Sequence, residues 1–123
     1  MANILVVEDN DDVREMMAVA LELEGHEVST AGNGREALGQ LRQGHRPCVI
    51  LLDLMMPVMN GWEFSQEIEN DPVLRAVPVV ILSAATAELI HKTTAAAYLP
   101  KPLNMDQLLH VVGGFCGDCA GPS

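Results

Sequence analysis

The sequence predicts an α/β domain in which a doubly wound parallel sheet of five strands carries helices on both faces. Three segments, residues 4–7, 48–52 and 79–82, are apolar without alternation, a pattern typical of parallel strands buried on both faces. Segments with helical periodicity lie between the strands. Such alternation of strand and helix favours a parallel sheet covered by helices on each side.

The first strand and the first helix follow from the spacing of their apolar residues. After the strand at 4–7, apolar positions three and one residues apart mark one face of a helix: Val13, Met16, Met17, Ala20 and Leu21. Asp12 and Glu15 resemble a capping box at the start of this helix, and Gly25 suits its end.

The middle of the chain contains two further pairs of strand and helix. A weaker strand, HEVSTA, precedes the helix NGREALGQLRQG. The apolar residues of that helix are expected to point inward, namely Ala37, Leu38 and Leu41. The strand at 48–52 precedes a third helix, GWEFSQEIEND, which Pro72 ends.

The last part of the chain is predicted to hold two strands and two helices. The strand at 79–82 precedes a short helix in TAELIHKTTAA, and the fifth strand is AYLP. The final helix is capped by Asn104 and places four apolar residues on one stripe: Met105, Leu108, Leu109 and Val112. We expect one domain over residues 1–113 with the flavodoxin-like strand order 2-1-3-4-5, and a flexible tail over 114–123.

Composition and charge exclude several classes of function. The chain has 123 residues, 49% hydrophobic but only 3% aromatic, enough for one domain with an aliphatic core. A formal net charge of −10 argues against direct binding to nucleic acids or anionic membranes. No apolar run approaches the roughly 20 residues needed to cross a bilayer, and the basic flank of a signal peptide is absent. We therefore expect a cytoplasmic location.

The three cysteines do not form a disulfide framework. We expect Cys48, at the start of an apolar strand, to be a small core residue. Cys116 and Cys119 form a lone C-x-x-C in the tail, where a zinc site would need two more ligands and His110 is the only nearby candidate. A redox motif of this kind normally opens a helix after a strand, so we expect neither metal nor redox function from it.

Polar and charged side chains stand where the predicted strands end. The first strand is followed by Glu8 and Asp9, and the third is followed by Asp53. The fourth is followed by Ser83 and the fifth by Lys101. Because ligands of open α/β sheets bind at the carboxyl ends of the strands, these five side chains are predicted to converge in one site.

The residue types of this predicted site point to phosphoryl transfer. Three carboxylates close together repel each other, so at least one takes up a proton unless a cation lies between them. Carboxylate oxygens suit Mg²⁺, beside which Asp53 can attack a phosphorus centre and form an aspartyl phosphate. Lys101 can neutralise one phosphoryl oxygen, and Ser83 can donate a hydrogen bond to another.

Each residue also has a plain structural interpretation when it is taken alone. Glu8 or Asp9 could cap the first helix. Lys101 could be an exposed lysine, and Ser83 could be a turn residue. Their joint occurrence at four strand ends favours a site.

The chain resembles the receiver domain of two-component response regulators over about residues 3–113. The resemblance rests on the motifs LVVEDN, AGNGREAL, LLDLMMPVMNG, VVILSA and YLPKP. The spacings from Asp9 to Asp53 and from Asp53 to Ser83 also match the family pattern. Together these motifs are highly specific.

The resemblance implies a role for each residue of the acidic part of the site. Asp53 would be the phospho-acceptor. Asp9, Asp53 and the backbone carbonyl of Met55 would hold Mg²⁺ directly, and Glu8 would assist through a water molecule.

The resemblance also implies roles for residues near the fourth and fifth strands. Ser83 and Lys101 would contact the phosphoryl group. Tyr98 matches the aromatic residue of the family's conformational switch, which turns inward when Ser83 moves toward the phosphate. The bond from Lys101 to Pro102 would be a cis peptide.

Two departures from the family pattern lie near the site. Fewer positions than usual separate Ser83 from Lys101, and TTAAAY replaces the usual Gly-Ala before the fifth strand. We therefore expect a short or irregular fourth helix, which leaves open whether the active form dimerises through that region. Met55 and Ala85 occupy positions that tune the phosphoryl lifetime in the family.

Taken together, the sequence predicts a signalling phospho-acceptor with self-catalysed phosphotransfer and autodephosphorylation, rather than a metabolic enzyme. A sensor histidine kinase or phosphotransfer protein would supply the phosphoryl group, and a protein partner or an output domain outside this chain would read it. The alternative is a pseudo-receiver that acts as an interaction module without phosphorylation. A flavodoxin-like cofactor binder is excluded, because EDNDD after the first strand would repel a phosphate.

Overall fold

The computed structural model of the chain describes residues 3–44, 47–53, 61–83, 97–100 and 105–116. Within these ranges, residues 61, 62, 65, 83, 97, 98, 100, 105, 115 and 116 are described by their backbone only. The strands and helices are, in chain order, β1 (Asn3–Val7), α1 (Asp11–Leu23), β2 (Glu27–Ala31), α2 (Gly34–Arg42), β3 (Val49–Asp53), α3 (Gly61–Asn70), β4 (Val79–Ser83), β5 (Ala97–Pro100) and α4 (Met105–Cys116). A 3₁₀ turn, Leu74–Ala76, lies between α3 and β4.

The five strands form one parallel sheet in the order β2-β1-β3-β4-β5. This confirms the predicted doubly wound, flavodoxin-like topology, with β2 on one side of β1 and the later strands on the other. The pairing aligns the carboxyl ends of the strands, because Val7 lies opposite Leu52 and Ser83 lies opposite Pro100. The carboxyl ends of these strands therefore lie at one edge of the sheet.

The described apolar side chains form two clusters, one on each face of the sheet. Alternate residues of a strand point to opposite faces, so Leu5 and Val7 belong to one cluster and Ile4 and Val6 to the other. The first cluster also contains residues of α2 and α3, and the second contains residues of α1 and α4. Helices therefore cover both faces, as predicted.

The inward faces predicted for the helices are largely confirmed. The buried residues on these faces are Met17, Leu21, Ala37, Leu38, Leu41, Leu108 and Val112. Val13, Ala20 and Leu109 are only half-buried, and the side chain of Met105 is not described. Met16 was placed wrongly, because 49% of its surface is exposed. The buried stripe of α1 is thus narrower than its apolar spacing suggests, and Met16 lies at the solvent side of it.

The start of α1 differs from the predicted capping box. The N-cap is Asn10, whose Oδ1 accepts a hydrogen bond from the backbone N–H of Val13 (3.0 Å). The prediction of Asp12 as the cap is therefore wrong, and its carboxylate instead lies in the first turn, where a negative charge favours the helix dipole. Gly25 follows the helix with a φ of +91°, which glycine adopts without strain, so the predicted end is confirmed.

Several other predictions concern helix ends and spans. α3 ends at Asn70, just before the predicted stop at Pro72. The short helix expected within residues 86–96 and the cap at Asn104 lie outside the described residues. Among the helices that the structure describes, none is both long and apolar enough to span a bilayer.

Cys48 lies just before β3 and packs, half-buried, against the cluster that α1 and α4 cover, so the expectation of a small core residue is met only in part. Its sulfur lies 3.3 Å from the backbone carbonyl oxygen of Asn3 and is disulfide-bonded. The sequence did not predict this bond, because three cysteines do not specify a pairing. α4 continues through Cys116, so the C-x-x-C begins within a helix and not in the expected tail.

Candidate functional site

The carboxyl edge of the sheet brings together three carboxylates from two neighbouring strands. Glu8 and Asp9 follow the last residue of β1, and Asp53 is the last residue of β3. Since Val7 lies opposite Leu52, Glu8 and Asp53 continue the two strands side by side. The structure thus unites the three acidic residues that were expected to converge.

The three residues form a compact cluster, which we call the acidic cluster. Each offers one carboxylate oxygen, and these oxygens lie within 4.8 Å of one another. Glu8 and Asp53 have only 1% and 4% of their surface exposed, whereas Asp9 is exposed. Water screens buried charges poorly, so these carboxylates repel each other more strongly than surface acids do. The cluster therefore favours a bound positive charge.

Glu8 is held by the sheet and by the start of α1. Its backbone N–H donates a hydrogen bond to the carbonyl oxygen of Ala31 in β2 (3.1 Å), and its Oε2 accepts one from the backbone N–H of Asn10 (3.2 Å). Because Asn10 is the N-cap of α1, the interpretation of Glu8 or Asp9 as the helix cap is wrong. The positions of both acids need another explanation.

The donor set of the acidic cluster fits a hard divalent cation. Mg²⁺ binds oxygen ligands, uses one or two carboxylates and keeps several waters. Asp53 presents its carboxylate from a buried strand end, and exposed Asp9 leaves a solvent side on which waters can complete the coordination. The residues present therefore fit Mg²⁺ better than softer metals, which prefer sulfur and imidazole ligands.

The remaining predicted site residues are described in part or not at all. Ser83 ends β4, the neighbour of β3, so its backbone reaches the same edge of the sheet as Asp53. Tyr98 lies in β5 with its backbone opposite Ile81. The positions outside the described residues are Met55, Ala85, Lys101 and Pro102.

Arg14 is a residue next to the site that the sequence analysis missed. Its Nη1 donates a hydrogen bond to the backbone carbonyl oxygen of Glu8 (2.9 Å), and its Nη2 forms an ion pair with Asp11. An arginine on a helix is usually solvated surface, so it did not stand out from the other charges of α1. The sequence signal that could have identified Arg14 was its position, one turn after the N-cap of a helix whose first two residues are acidic.

A family model described as the response regulator receiver domain matches residues 4–113. The chain belongs to this family. The resemblance inferred from the motifs is thus confirmed, and the protein is a receiver domain of the kind that works in two-component phosphorelay signalling. The acidic cluster lies within the matched residues.

Two relatives differ in how much of their length this receiver domain covers. The chain is 30% identical to the polar-differentiation response regulator DivK of Brucella anthropi, over 94% of the chain and 97% of DivK. It is 35% identical to the transcriptional regulatory protein CpxR homolog of Haemophilus influenzae, over 100% of the chain but only 54% of that protein. The receiver domain thus spans about half the length of the second relative.

A similar solved structure carries a metal ion. It is the receiver domain of the sensor histidine kinase PA1611 from Pseudomonas aeruginosa PAO1, with a magnesium ion coordinated in the active site cleft. The two folds agree with a TM-score of 0.85 and 26% identity, over 95% of this chain and 98% of that one.

Proposed function

We propose that this receiver domain accepts a phosphoryl group on the carboxylate of Asp53 and acts as a switch in a phosphorelay. The observation that carries the proposal is the acidic cluster, whose three carboxylate oxygens lie within 4.8 Å of one another at the carboxyl edge of the sheet. Burying carboxylates side by side costs stability unless a ligand balances their charge. Such an arrangement of carboxylates is typical of a functional site.

The acidic cluster would hold the Mg²⁺ that the reaction needs. Asp9 and Asp53 would bind it directly together with the backbone carbonyl of Met55, and Glu8 would reach it through a water molecule. When bound, the ion would neutralise the carboxylates and the incoming phosphoryl oxygens. The magnesium in the cleft of the P. aeruginosa receiver domain supports this assignment.

The proposed reaction is an in-line displacement at phosphorus. A carboxylate oxygen of Asp53 forms a bond to phosphorus while the bond from phosphorus to the donor histidine nitrogen breaks, and the histidine leaves as neutral imidazole after gaining one proton. Lys101 would neutralise the phosphoryl oxygens, and Ser83 would donate a hydrogen bond to one of them. In the later hydrolysis, water attacks the phosphorus and releases inorganic phosphate and the Asp53 carboxylate.

Output would come from a conformational change that the new charge drives. A phosphoryl group adds about −1.5 to −2 charges where β3 ends. Ser83, at the end of the next strand, would move toward it, and Tyr98 in β5 would turn inward. A downstream protein partner or an output domain would then read the altered surface.

An exposed apolar stripe on α1 is where the phosphodonor would dock. Met16, Val19 and Leu23 lie on one side of the helix and are 49%, 49% and 81% exposed. Because α1 begins directly after the acidic cluster, a partner bound along it stays within reach of the acceptor. We propose that its occupant is the phosphohistidine-bearing domain of a sensor kinase or phosphotransfer protein, with basic side chains opposite Asp12 and Glu15 at the border of the stripe.

Intact-protein mass after incubation with acetyl phosphate tests the proposed reaction. The wild type should gain one phosphoryl adduct with Mg²⁺ and none in EDTA, and Asp53→Asn should gain none in either. Asp106→Asn, the same change at an exposed carboxylate of α4, should behave like the wild type. A wild type that gains no adduct and binds neither Mg²⁺ nor beryllofluoride would contradict the proposal and indicate a pseudo-receiver that serves as an interaction module.

A further inference from the structure

Arg14 ties α1 to the strand end that supplies two of the three acids. Only 24% of its side chain is exposed. One nitrogen, Nη1, donates to the carbonyl oxygen of Glu8 at 2.9 Å, while the other, Nη2, pairs with Asp11 in the first turn of the same helix. The planar fork of arginine thus makes two different contacts at once, which a single ammonium group cannot reproduce.

The contact with Glu8 acts on the backbone between the first two acids. The carbonyl of Glu8 belongs to the peptide group that it shares with Asp9, so a hydrogen bond to this oxygen fixes the plane of that peptide. Asp9 is exposed, and the direction of its carboxylate depends on the backbone more than on packing. The guanidinium also lies against the turn after β2, since a Cβ on Gly32 would meet Nη1 at 3.5 Å.

We propose that Arg14 is a positioning residue for the divalent cation of the acidic cluster. It holds the Glu8–Asp9 peptide in the orientation that directs both carboxylates toward Asp53, and it does not touch the ion. This inference rests on the proposed Mg²⁺-dependent function. The inference adds to that function, because a cationic side chain that is not a ligand would control the affinity for Mg²⁺.

Charge and position predict opposite effects of removing Arg14. A guanidinium near the acidic cluster repels a cation, so neutralising it would tighten Mg²⁺ binding if its charge were all that mattered. Losing the hydrogen bond to Glu8 would loosen the ligands and weaken binding, as the loss of a supporting contact around a metal site does. The sign of the change therefore separates the two effects.

The test is calorimetric titration of the wild type, Arg14→Met, Arg14→Lys and Arg35→Met with Mg²⁺. Arg14→Met should raise the Kd by about tenfold, the lower end of the range for supporting contacts. Arg14→Lys should also bind more weakly than the wild type, because it keeps the charge without the fork. Arg35→Met, the same charge change at an exposed position of α2, should bind Mg²⁺ as tightly as the wild type or more tightly.

Two further readouts separate this inference from a loss of fold and from failure of the proposed function. Phosphorylation by acetyl phosphate should recover its full rate in Arg14→Met at saturating Mg²⁺, a recovery that a misfolded variant would not show. Folded Arg14→Met and Arg14→Lys with the wild-type Kd or a lower one would overturn the inference. A wild type that binds Mg²⁺ without gaining a phosphoryl group would contradict only the proposed reaction. A wild type that binds no Mg²⁺ would contradict both the proposed reaction and the role of Arg14.

Discussion

At the scale of single residues, the site is defined by carboxylates that the sheet holds together despite their repulsion. Glu8 and Asp53 are buried next to each other because their strands pair, and Asp9 completes the cluster from the solvent side. Their repulsion destabilises the folded state when no cation is present, and a bound cation offsets this repulsion. The stability of the domain should therefore depend on Mg²⁺.

Urea unfolding with and without Mg²⁺ measures this dependence. At a concentration one hundred times its Kd, a ligand that binds only the folded state adds about 2.7 kcal/mol to the free energy of unfolding. Asp9→Asn removes one ligand and one of the three repelling charges, so in EDTA it should raise the unfolding free energy or leave it unchanged, and it should lose most of the gain from Mg²⁺. Asp106→Asn should keep the gain. An equal gain in Asp9→Asn and the wild type would show that the ion binds elsewhere.

The acids were predictable from the sequence, whereas their supporting contacts were not. Glu8, Asp9 and Asp53 follow apolar strands, and the apolar pattern marks the strand ends well. Asn10 as the cap and Arg14 as the contact to the Glu8 carbonyl depend on the path of the loop into α1. Several acids in a row offer similar caps, so the sequence does not distinguish among them.

At the scale of elements, α1 presents one face to the core and an apolar stripe to solvent. Met17 and Leu21 are buried, while Met16, Val19 and Leu23 are exposed. Spacing alone grouped Met16 with the buried residues. The spacing of apolar residues does not show whether a residue at the edge of the apolar face points to the core or to solvent. Solvent-exposed apolar residues aligned on one helix favour a docking surface.

Replacing part of this stripe should slow phosphoryl transfer from a protein donor but not from a small-molecule donor. The double variant Met16→Gln with Val19→Gln should slow transfer from a phosphorylated histidine phosphotransfer protein by about fivefold or more, as the loss of interface anchors does. Its rate with acetyl phosphate should not change, because that donor needs no docking surface. Val73→Gln, a similar change at a 56% exposed valine before the 3₁₀ turn, is the control. Equal slowing with both donors would place the defect in the site and not in docking.

The disulfide of Cys48 should link β3 to the C-terminal end of the chain. The other cysteines of the chain are Cys116 and Cys119, so the bond closes a loop of roughly 70 residues, worth about 4 kcal/mol in the loop-entropy model. A reducing compartment keeps thiols reduced, so the bond should form only under oxidising conditions. Dithiothreitol should then lower the midpoint of thermal unfolding of the oxidised wild type but not that of Cys48→Ser. Alkylation of three thiols without reductant, after mild oxidation, would contradict this.

At the scale of the whole molecule, the topology was predictable because few arrangements satisfy its rules. Strands that alternate with helices require parallel pairing, and crossovers of one hand then limit the strand order. The two apolar clusters follow, since strands buried on both faces need cover on each side. The disulfide of Cys48 was not predictable in this way, because the rules of strand order do not specify how cysteines pair.

The whole molecule also explains why one phosphoryl group can act as a signal. The chain already carries a net charge of −10, and the acidic cluster concentrates part of it at one edge of the sheet. More negative charge at that edge must be balanced by a cation and by donors from neighbouring strands. If Asp53 is the acceptor, as proposed, signal and stability depend on the same few contacts around it.

Borohydride trapping identifies the carboxylate that carries the phosphoryl group. Borohydride reduces an aspartyl phosphate to homoserine, and peptide mass spectrometry then locates the modified residue. After treatment with acetyl phosphate and Mg²⁺, we expect homoserine at position 53 of the wild type, none in EDTA and none at any other aspartate. Homoserine at another aspartate, or an unmodified position 53 in a protein that gains a phosphoryl group, would contradict the assignment of Asp53 as the acceptor.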